Sequence, residues 1–508
     1  MSRHMDPASL LLICDPQAYP GEASEVPCFY RAAAAHQGLR AFHLQQQQVR
    51  PIQPAGGIEP ALEASAIPRE LDHRAFENLP TAKRIPVLLQ ELQLVFCRTL
   101  KPFPLGYLYS LQTWEPHIRF LNRPASKIRQ MRSSFLCELA APFLPPTLVS
   151  RDPEAIGAFL DHHGVIVAKR PNSTGGRGVF RLRRQHGQLL VDGAIPGEHR
   201  FGDLKSVLAY LEQDDSEPLL FSRYLPRTLE GDKRVLVVAG EVFGSYQRRS
   251  ASGHWVNNLS QDGSPETAPV SDEELAAIAA TSPSYRRLGL NVLGYDFLLD
   301  DDGTPRISEI NVGNVGGFAT LERLGVAPAM QQLLAWIEDF ARAPGALTIR
   351  AAEAYDDSAI AAIWEEANTL EVVSMLAGSI DTAQIRRKRE ELGERELLLV
   401  AERWGEVIGW AEAKTYSPRE GYRACCETSI YLRASEAGRG HGRRLQTRLM
   451  QDAAALGYRH LVARVVASNA RSLAFHQAAG YELVGVQRRI GFLHGRWHDV
   501  AILQHVLP

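Results

Sequence analysis

Asp296, Glu309 and Asn311 are residue types that hold a hard cation through oxygen, and they stand close together in this 508-residue chain. Asp296 ends Gly294-Tyr295-Asp296, and the other two belong to Glu309-Ile310-Asn311 shortly after it. Two carboxylates and an amide on adjacent strands are the donor set that Mg²⁺ needs when it bridges nucleotide phosphates. Upstream, Lys169 ends a β-rich run and leads into Arg170-Pro171-Asn172-Ser173-Thr174-Gly175-Gly176-Arg177-Gly178. Backbone N–H groups of such a glycine-rich loop can approach phosphate oxygens, while the ammonium adds a point charge. Alone the loop also fits a hairpin turn; the oxygen donors downstream favour a phosphate. A second set of residues lies far downstream. The strand Thr428 to Leu432 runs into Gly438-Arg439-Gly440-His441-Gly442-Arg443-Arg444, which opens an amphipathic helix to about Leu456. A glycine turn feeding a helix N-terminus makes an anion site from free N–H groups and the helix dipole, and it fits a coenzyme pyrophosphate. Gly491-Phe492-Leu493-His494-Gly495-Arg496-Trp497-His498-Asp499 reads as its substrate pocket. One polypeptide is therefore expected to carry two enzymes.

The elements that position these residues follow from length and pattern. A chain of 508 residues exceeds what one hydrophobic core supports. With 45% hydrophobic and 22% charged residues and a net charge of −2, it reads as an ordinary soluble protein with no global attraction to nucleic acid or membrane. Its apolar runs are too short for a membrane helix and its N-terminus lacks a signal-peptide pattern, so a cytoplasmic location is expected. The six cysteines, Cys14, Cys28, Cys97, Cys137, Cys425 and Cys426, have no metal-like spacing and read as reduced thiols. Leu10 to Cys14 is a buried-strand run that starts a βαβ unit. Val165 to Lys169, Leu219 to Tyr224, Arg234 to Val238 and Asn291 to Leu299 are further strands broken by glycine turns. Ala341-Arg342-Ala343-Pro344-Gly345-Ala346 then separates a helix-like run, Met330 to Ala341, from a new strand, Leu347 to Arg350, and marks a domain boundary.

From Leu10 to about Arg323 the chain resembles the bacterial glutathione synthetases of the ATP-grasp superfamily. The blocks that carry the resemblance are Asp15-Pro16, Asn122-Arg123-Pro124, Tyr224-Leu225-Pro226, Gly231-Asp232-Lys233-Arg234, Gly294-Tyr295-Asp296 and Glu309-Ile310-Asn311-Val312. The resemblance implies that Lys169 and the loop of Thr174, Gly175, Gly176 and Gly178 hold ATP phosphates. It further implies that Asp232 meets the ribose, that Leu220 to Arg223, with Phe221, forms the adenine hinge, and that Asp296, Glu309 and Asn311 bind two magnesium ions. Arg234, Arg248 or Arg249, and Asn258 would face the phosphoryl group and acyl substrate. Where the family places a first ATP lysine, this chain reads Met131-Arg132-Ser133, and Arg132 is the expected replacement. The implied chemistry is activation of a carboxylate as an acyl phosphate followed by amine attack. The loops Gly313 to Gly317 and Asn257 to Gly263 depart from the family, so the resemblance implies the reaction class and not glutathione as the product.

From Leu347 to Pro508 the chain resembles the Gcn5-related N-acetyltransferases (GNAT), within them the phosphinothricin and methionine-sulfoximine acetyltransferase group. The matching stretches are Cys426-Glu427-Thr428-Ser429-Ile430-Tyr431, the glycine loop, Ser468-Asn469-Ala470-Arg471-Ser472, Phe475-His476-Gln477-Ala478-Ala479-Gly480-Tyr481 and the His494 to Asp499 tail. By that resemblance acetyl-CoA would lie against Arg439, Gly440, Gly442, Arg443, Arg444 and Asn469, and Glu427 would be the general base that frees an α-amine for attack. The family's catalytic tyrosine position is Phe475 here, which leaves His476 and Tyr481 as candidates for protonating the thiolate.

The expected architecture is α/β and α+β multidomain: a pre-ATP-grasp domain over 1–125, an ATP-grasp fold over 126–340, a linker over 341–346, and a GNAT fold over 347–508, a mixed sheet flanked by helices. The expected activities are ATP- and magnesium-dependent amide ligation and acetyl transfer to a small amino acid or peptide, in a self-associating dimer or tetramer. The alternative is a degenerate ATP-grasp half that binds nucleotide as a regulator beside an active amino-acid N-acetyltransferase.

Overall fold

The computed structural model describes residues 6–52, 60–170, 172–173, 176–194, 197–212, 217–249, 255–256, 265–370, 375 and 378–507. The described chain separates into two compact units. One comprises Met1–Tyr285 with Gly289–Ala343, and the other Arg286–Leu288 with Pro344–Pro508.

Among the described residues the first unit is built on three sheets. The N-terminal sheet has the order Arg84–Leu88, Ala61–Ala66, Leu39–Leu44, Ala8–Ile13, Leu94–Cys97, Phe120–Leu121. Its central strand is parallel to both neighbours and buried on both faces, which is why its sequence is an unbroken apolar run. Leu10 and Leu12 enter one core, and Leu11 and Ile13 enter the other. The amphipathic helix Ala329–Arg342 closes the first of these cores with Met330, Leu333, Leu334, Ile337 and Ala341. A second, antiparallel sheet contains Val165–Lys169 and Leu219–Arg223 as neighbours. Period-two alternation sends Ile166, Ala168 and Phe221 into the core beneath it and turns Val167, Lys169, Leu220 and Ser222 to a cavity on the opposite face. The third sheet is an antiparallel array in which Asp232–Val238 pairs with Glu241–Arg248 on one side and Val292–Leu299 on the other, and Val292–Leu299 pairs in turn with Pro305–Asn311.

The second unit is one mixed seven-stranded sheet. Leu445, Leu449 and Ala453 form a stripe on the helix His441–Ala455 and pack on it. Its parallel step is short. Cys425–Leu432 pairs with His460–Val466 only at Cys425, Cys426 and Glu427, and a cavity lies between the two strands beyond that point. Among the described residues no helix is long and apolar enough to cross a membrane.

Candidate active sites

Strand register assembles the first site. Arg234 lies opposite Asp296, and Asp296 opposite Glu309, so three side-chain positions form one row across three strands. Two residues along the strands, Asp232 faces Arg248, and Gly294 faces Asn311, on the same face by period-two alternation. Glycine at 294 leaves room for the neighbouring arginine, since a Cβ there would stand 3.3 Å from Arg234 Nη1.

The charges on this face compensate one another. Asp296 accepts from Arg234 Nε at 2.5 Å and Nη2 at 2.8 Å, from Arg248 Nη2 at 2.8 Å, and from Asn311 Nδ2 at 3.0 Å. Burial acts to raise the Asp296 carboxyl, but the two guanidiniums outweigh it and hold the group below the usual carboxylate range. Arg248 also donates to Asp232, through Nε at 2.9 Å. Lys169 donates to the Ser308 carbonyl at 2.7 Å and hydroxyl at 2.9 Å. Burial lowers its ammonium while Glu309 and Asp296 work in the opposite direction.

Two adjoining cavities open here. One, of about 100 Å³, has apolar walls of Val167, Leu220, Leu298 and Ile307 with Lys169, Asp232, Asp296 and Glu309 at its polar side. The other, of about 320 Å³, is bordered by Arg132, Lys169, Gly176, Arg234, Arg248, Asp296, Glu309 and Asn311. An apolar slot beside a charged chamber suits a base and its phosphates. Asp296, Glu309 and Asn311 offer the hard oxygens a divalent cation requires, so the residues present fit a metal–nucleotide complex. Among the described residues no cluster of three or more His, Cys, Asp or Glu could hold a metal, so a cation here must also use the Asn311 amide oxygen or ligand oxygens.

Of the residues expected at this site, Thr174, Gly175 and Asn258 lie outside the described residues. Phe221 requires a correction. Its side chain is fully buried in the core on the opposite face, and strand alternation gives the cavity wall to Leu220 and Ser222 instead. Gly178 borders neither cavity; its place in the loop is tight, because a Cβ would collide with Ser173 Oγ. Ser308 and Lys101 also border the charged chamber, although no motif marks either of them.

The second site is shaped by backbone. The cavity between the separated strands, of about 790 Å³, runs between Thr428–Leu432 and Ala463–Val465, with Gly438, Gly440, Gly442 and Arg443 at one end. Gly440 is the N-cap of the helix His441–Ala455 and has φ of 80°, a left-handed conformation that disfavours any side chain. A Cβ on Gly442 would stand 2.7 Å from Leu432 Cδ1 and 3.2 Å from Phe475 Cε2, so a side chain there would force those two to shift. Asn469 borders the cavity and caps Ala470–Ala478 by accepting from Ser472 N at 2.9 Å. Arg439 and Arg444 do not border it, and Arg444 reaches the Leu347 carbonyl at 3.4 Å.

Glu427 sits at the last paired position before the strands part. Its carboxylate accepts from Arg464 at 2.8 and 2.7 Å and has Lys414 3.7 Å away. His476 borders the cavity. Its Nδ1 lies 2.8 Å from the Ser472 carbonyl, which can only accept, so Nδ1 carries the proton, and burial lowers the ring's pKa. A neutral imidazole of that tautomer offers an acceptor at Nε2 and no second proton to donate. Tyr481 is the other departure from expectation. It is buried behind Thr428, off the cavity, receives a hydrogen bond from Gln446 at 2.9 Å and contacts the Thr428 hydroxyl at 2.9 Å, and burial pushes its phenol up to about 12.

The two sites define an ATP-grasp ligase site in the first unit and a GNAT acyltransferase site in the second. Residues 135–325 match the family described as "Prokaryotic glutathione synthetase, ATP-grasp domain", and residues 349–502 match "Acetyltransferase (GNAT) domain". The glutathione synthetase of Rhodopseudomonas palustris is 31% identical over 240 residues, covering 47% of this chain and 70% of the relative. That of Neisseria meningitidis serogroup B is 26% identical over 322 residues, covering 61% and 91%. A solved GNAT-superfamily phosphinothricin acetyltransferase from Sinorhizobium meliloti, in complex with acetyl-CoA, is 33% identical and covers 32% of this chain and 88% of its own, with a TM-score of 0.30. The chain belongs to the glutathione synthetase family, as an ATP-grasp ligase fused to a GNAT N-acetyltransferase domain. ATP and a metal ion are the cofactors that an ATP-grasp domain implies.

Proposed function

We propose that the chain is a bifunctional enzyme that joins the carboxylate of an amino acid or small peptide to an amine and acetylates a free α-amine. The observation that carries the ligase half is the row Arg234, Asp296, Glu309 beside an apolar slot. When bound, ATP with its two magnesium ions supplies the phosphoryl group that activates the carboxylate as an acyl phosphate. Asp296, Glu309 and Asn311 would hold the metal. Arg234 and Arg248, now paired with Asp296, would turn their donors to developing negative charge, and Lys169 and Arg132 would hold phosphate oxygens. In the second unit the N-terminus of His441–Ala455 would take the pyrophosphate of acetyl-CoA, and Glu427 would accept a proton from the ammonium of the acceptor. The functional division we infer is 1–125, 126–340 and 347–508, joined through 341–346.

The test is ADP and phosphate release from the full chain with ATP, Mg²⁺ and a panel of amino acids and dipeptides, with products read by mass with and without acetyl-CoA. Condensed masses that gain one acetyl group are the expected result. One observation favours the alternative of a nucleotide-binding regulator: the Asp296 carboxylate is engaged by two arginines, which compete with a cation for its oxygens. Acetylation without ATP turnover for any pairing would decide for that alternative.

A further inference from the structure

Among the described residues six cationic side chains border the charged chamber of the ligase unit, and most are committed. Arg234 and Arg248 hold Asp296 and Asp232, Lys169 holds Ser308, and Arg170 donates to the backbone carbonyls of Leu211 and Tyr210. Arg132 has partners of its own. Lys101 differs. Its side chain is only 13% exposed, it borders the chamber, and its one ion pair among the described residues is a loose one, Nζ to Glu309 Oε1 at 3.9 Å.

Two contacts hold this lysine in place. Its loop is tied to the glycine-rich loop by Asn172, which accepts from Phe103 N at 2.9 Å and donates to Phe103 O at 3.1 Å. Asn172 takes the left-handed φ of 49° to do so, a conformation asparagine tolerates. On its other side the loop lies against Gly313, two residues beyond Asn311. A Cβ there would stand 3.0 Å from Phe103 Cζ and 3.8 Å from Lys101 Cε. Lys101 is therefore fixed between the phosphate-facing loop and the strand end that carries the oxygen donors.

Resting on the ligase reading above, we propose that Lys101 is a phosphoryl-binding residue whose ammonium passes from Glu309 to the γ-phosphoryl oxygens when Glu309 takes the divalent cation. Electrostatics supports the exchange. At 3.9 Å the ammonium and the Glu309 carboxylate compensate each other only loosely. A cation on Glu309 repels an ammonium about 4 Å away, and the incoming phosphate oxygens attract it. Compact, strongly hydrated lysine suits a triphosphate end as a point charge. Lys101 would thereby sense whether the terminal phosphoryl group is present.

Calorimetric binding of Mg·ATP and Mg·ADP to the full chain, without substrates, tests this in the wild type, Lys101→Met and Lys101→Arg. Methionine keeps the stem against Gly313 and removes the charge. The expected result is that Lys101→Met weakens Mg·ATP about tenfold and Mg·ADP less than about twofold, and that Lys101→Arg recovers most of the loss. Equal affinities of wild type and Lys101→Met for Mg·ATP overturn the proposal, as does equal weakening for both nucleotides, which marks a structural role. Should the wild type bind neither nucleotide, the ligase reading itself fails, an outcome distinct from both.

Discussion

The two sites reach anion chemistry by opposite means. In the ligase unit the side chains do it: Asp232 and Asp296 are neutralised by Arg234 and Arg248 across three strands, with Lys169 held beside them by Ser308. In the acetyltransferase unit the backbone does it. Two strands separate, a left-handed glycine starts a helix, and a second glycine stands where a side chain would force Leu432 and Phe475 to shift. The first arrangement is costly to disturb because removing any one partner leaves a buried charge. The second depends on shape and should yield most to a small change in backbone conformation.

Asp296→Asn attacks the first arrangement at its centre. Arg234 and Arg248 lose the carboxylate they share, and breaking such a buried pair costs about 3–5 kcal/mol. The expected outcome is a large fall in the melting temperature of the ligase unit and loss of amide formation, with acetyl transfer retained. Undiminished ligase stability would mean that solvent relieves those arginines, and the contrast between the sites would weaken.

Acidification sharpens the contrast. Burial pushes His43 down from 6.5 to about 4, with Tyr30 Oη 3.1 Å from Nδ1 and, among the described residues, no hydrogen-bond partner for Nε2. Its folded value lies below its unfolded one, so the unfolded chain takes up the proton first. The stability it contributes is complete above about pH 6.5 and is lost as pH falls toward 4, about 3 kcal/mol in all. His476 acts in the same direction on the second unit. Melting followed against pH should show the ligase transition falling through this window, and His43→Gln should flatten it.

How far the sequence revealed each site follows from the same difference. Asp296, Glu309, Asn311, Gly440 and Gly442 could be singled out because their chemistry is local: oxygen donors on two neighbouring strands, glycines at the start of a helix. The strand runs were legible from apolar pattern, and the helix expected over Met330 to Ala341 is Ala329–Arg342. What local sequence does not encode is which face a residue takes and what stands opposite. Phe221 belongs to a run that borders the cavity, yet alternation buries it. The pairing of Asp296 with Arg234 and Arg248 is fixed by register between strands distant in sequence. Lys101 stands in an unremarkable Leu-Lys-Pro-Phe stretch and is brought to the chamber by tertiary contacts alone.

Gly440→Ala tests the backbone side of the contrast. At φ of 80° a Cβ costs roughly 1–2 kcal/mol, and relief of that strain would turn the first N–H groups of the helix away from their common focus. Acetyl-CoA affinity, measured by calorimetry, should fall about tenfold while nucleotide binding to the first unit stays unchanged. An unchanged affinity would show that Arg443 and the cavity walls, rather than backbone geometry, hold the coenzyme.

Tyr481→Phe carries the smallest expected effect and decides a question of role. The phenol is buried behind Thr428. Gln446 donates to it and the Thr428 hydroxyl lies 2.9 Å away, so its polar partners stand in the core and not in the cavity. A group in that position orders the base of the strand pair. Its removal leaves Gln446 and Thr428 one partner short, at a cost of about 1 kcal/mol in stability. The rate of acetyl transfer at saturating acetyl-CoA should change by less than about threefold, with the same pH profile. A loss of a hundredfold or more, with the alkaline limb of the profile removed, would instead mean that the proton reaches the leaving thiolate through Thr428, which does border the cavity. In that case the second site too would depend on buried side-chain chemistry, and the division between the two units would lie in degree rather than in kind.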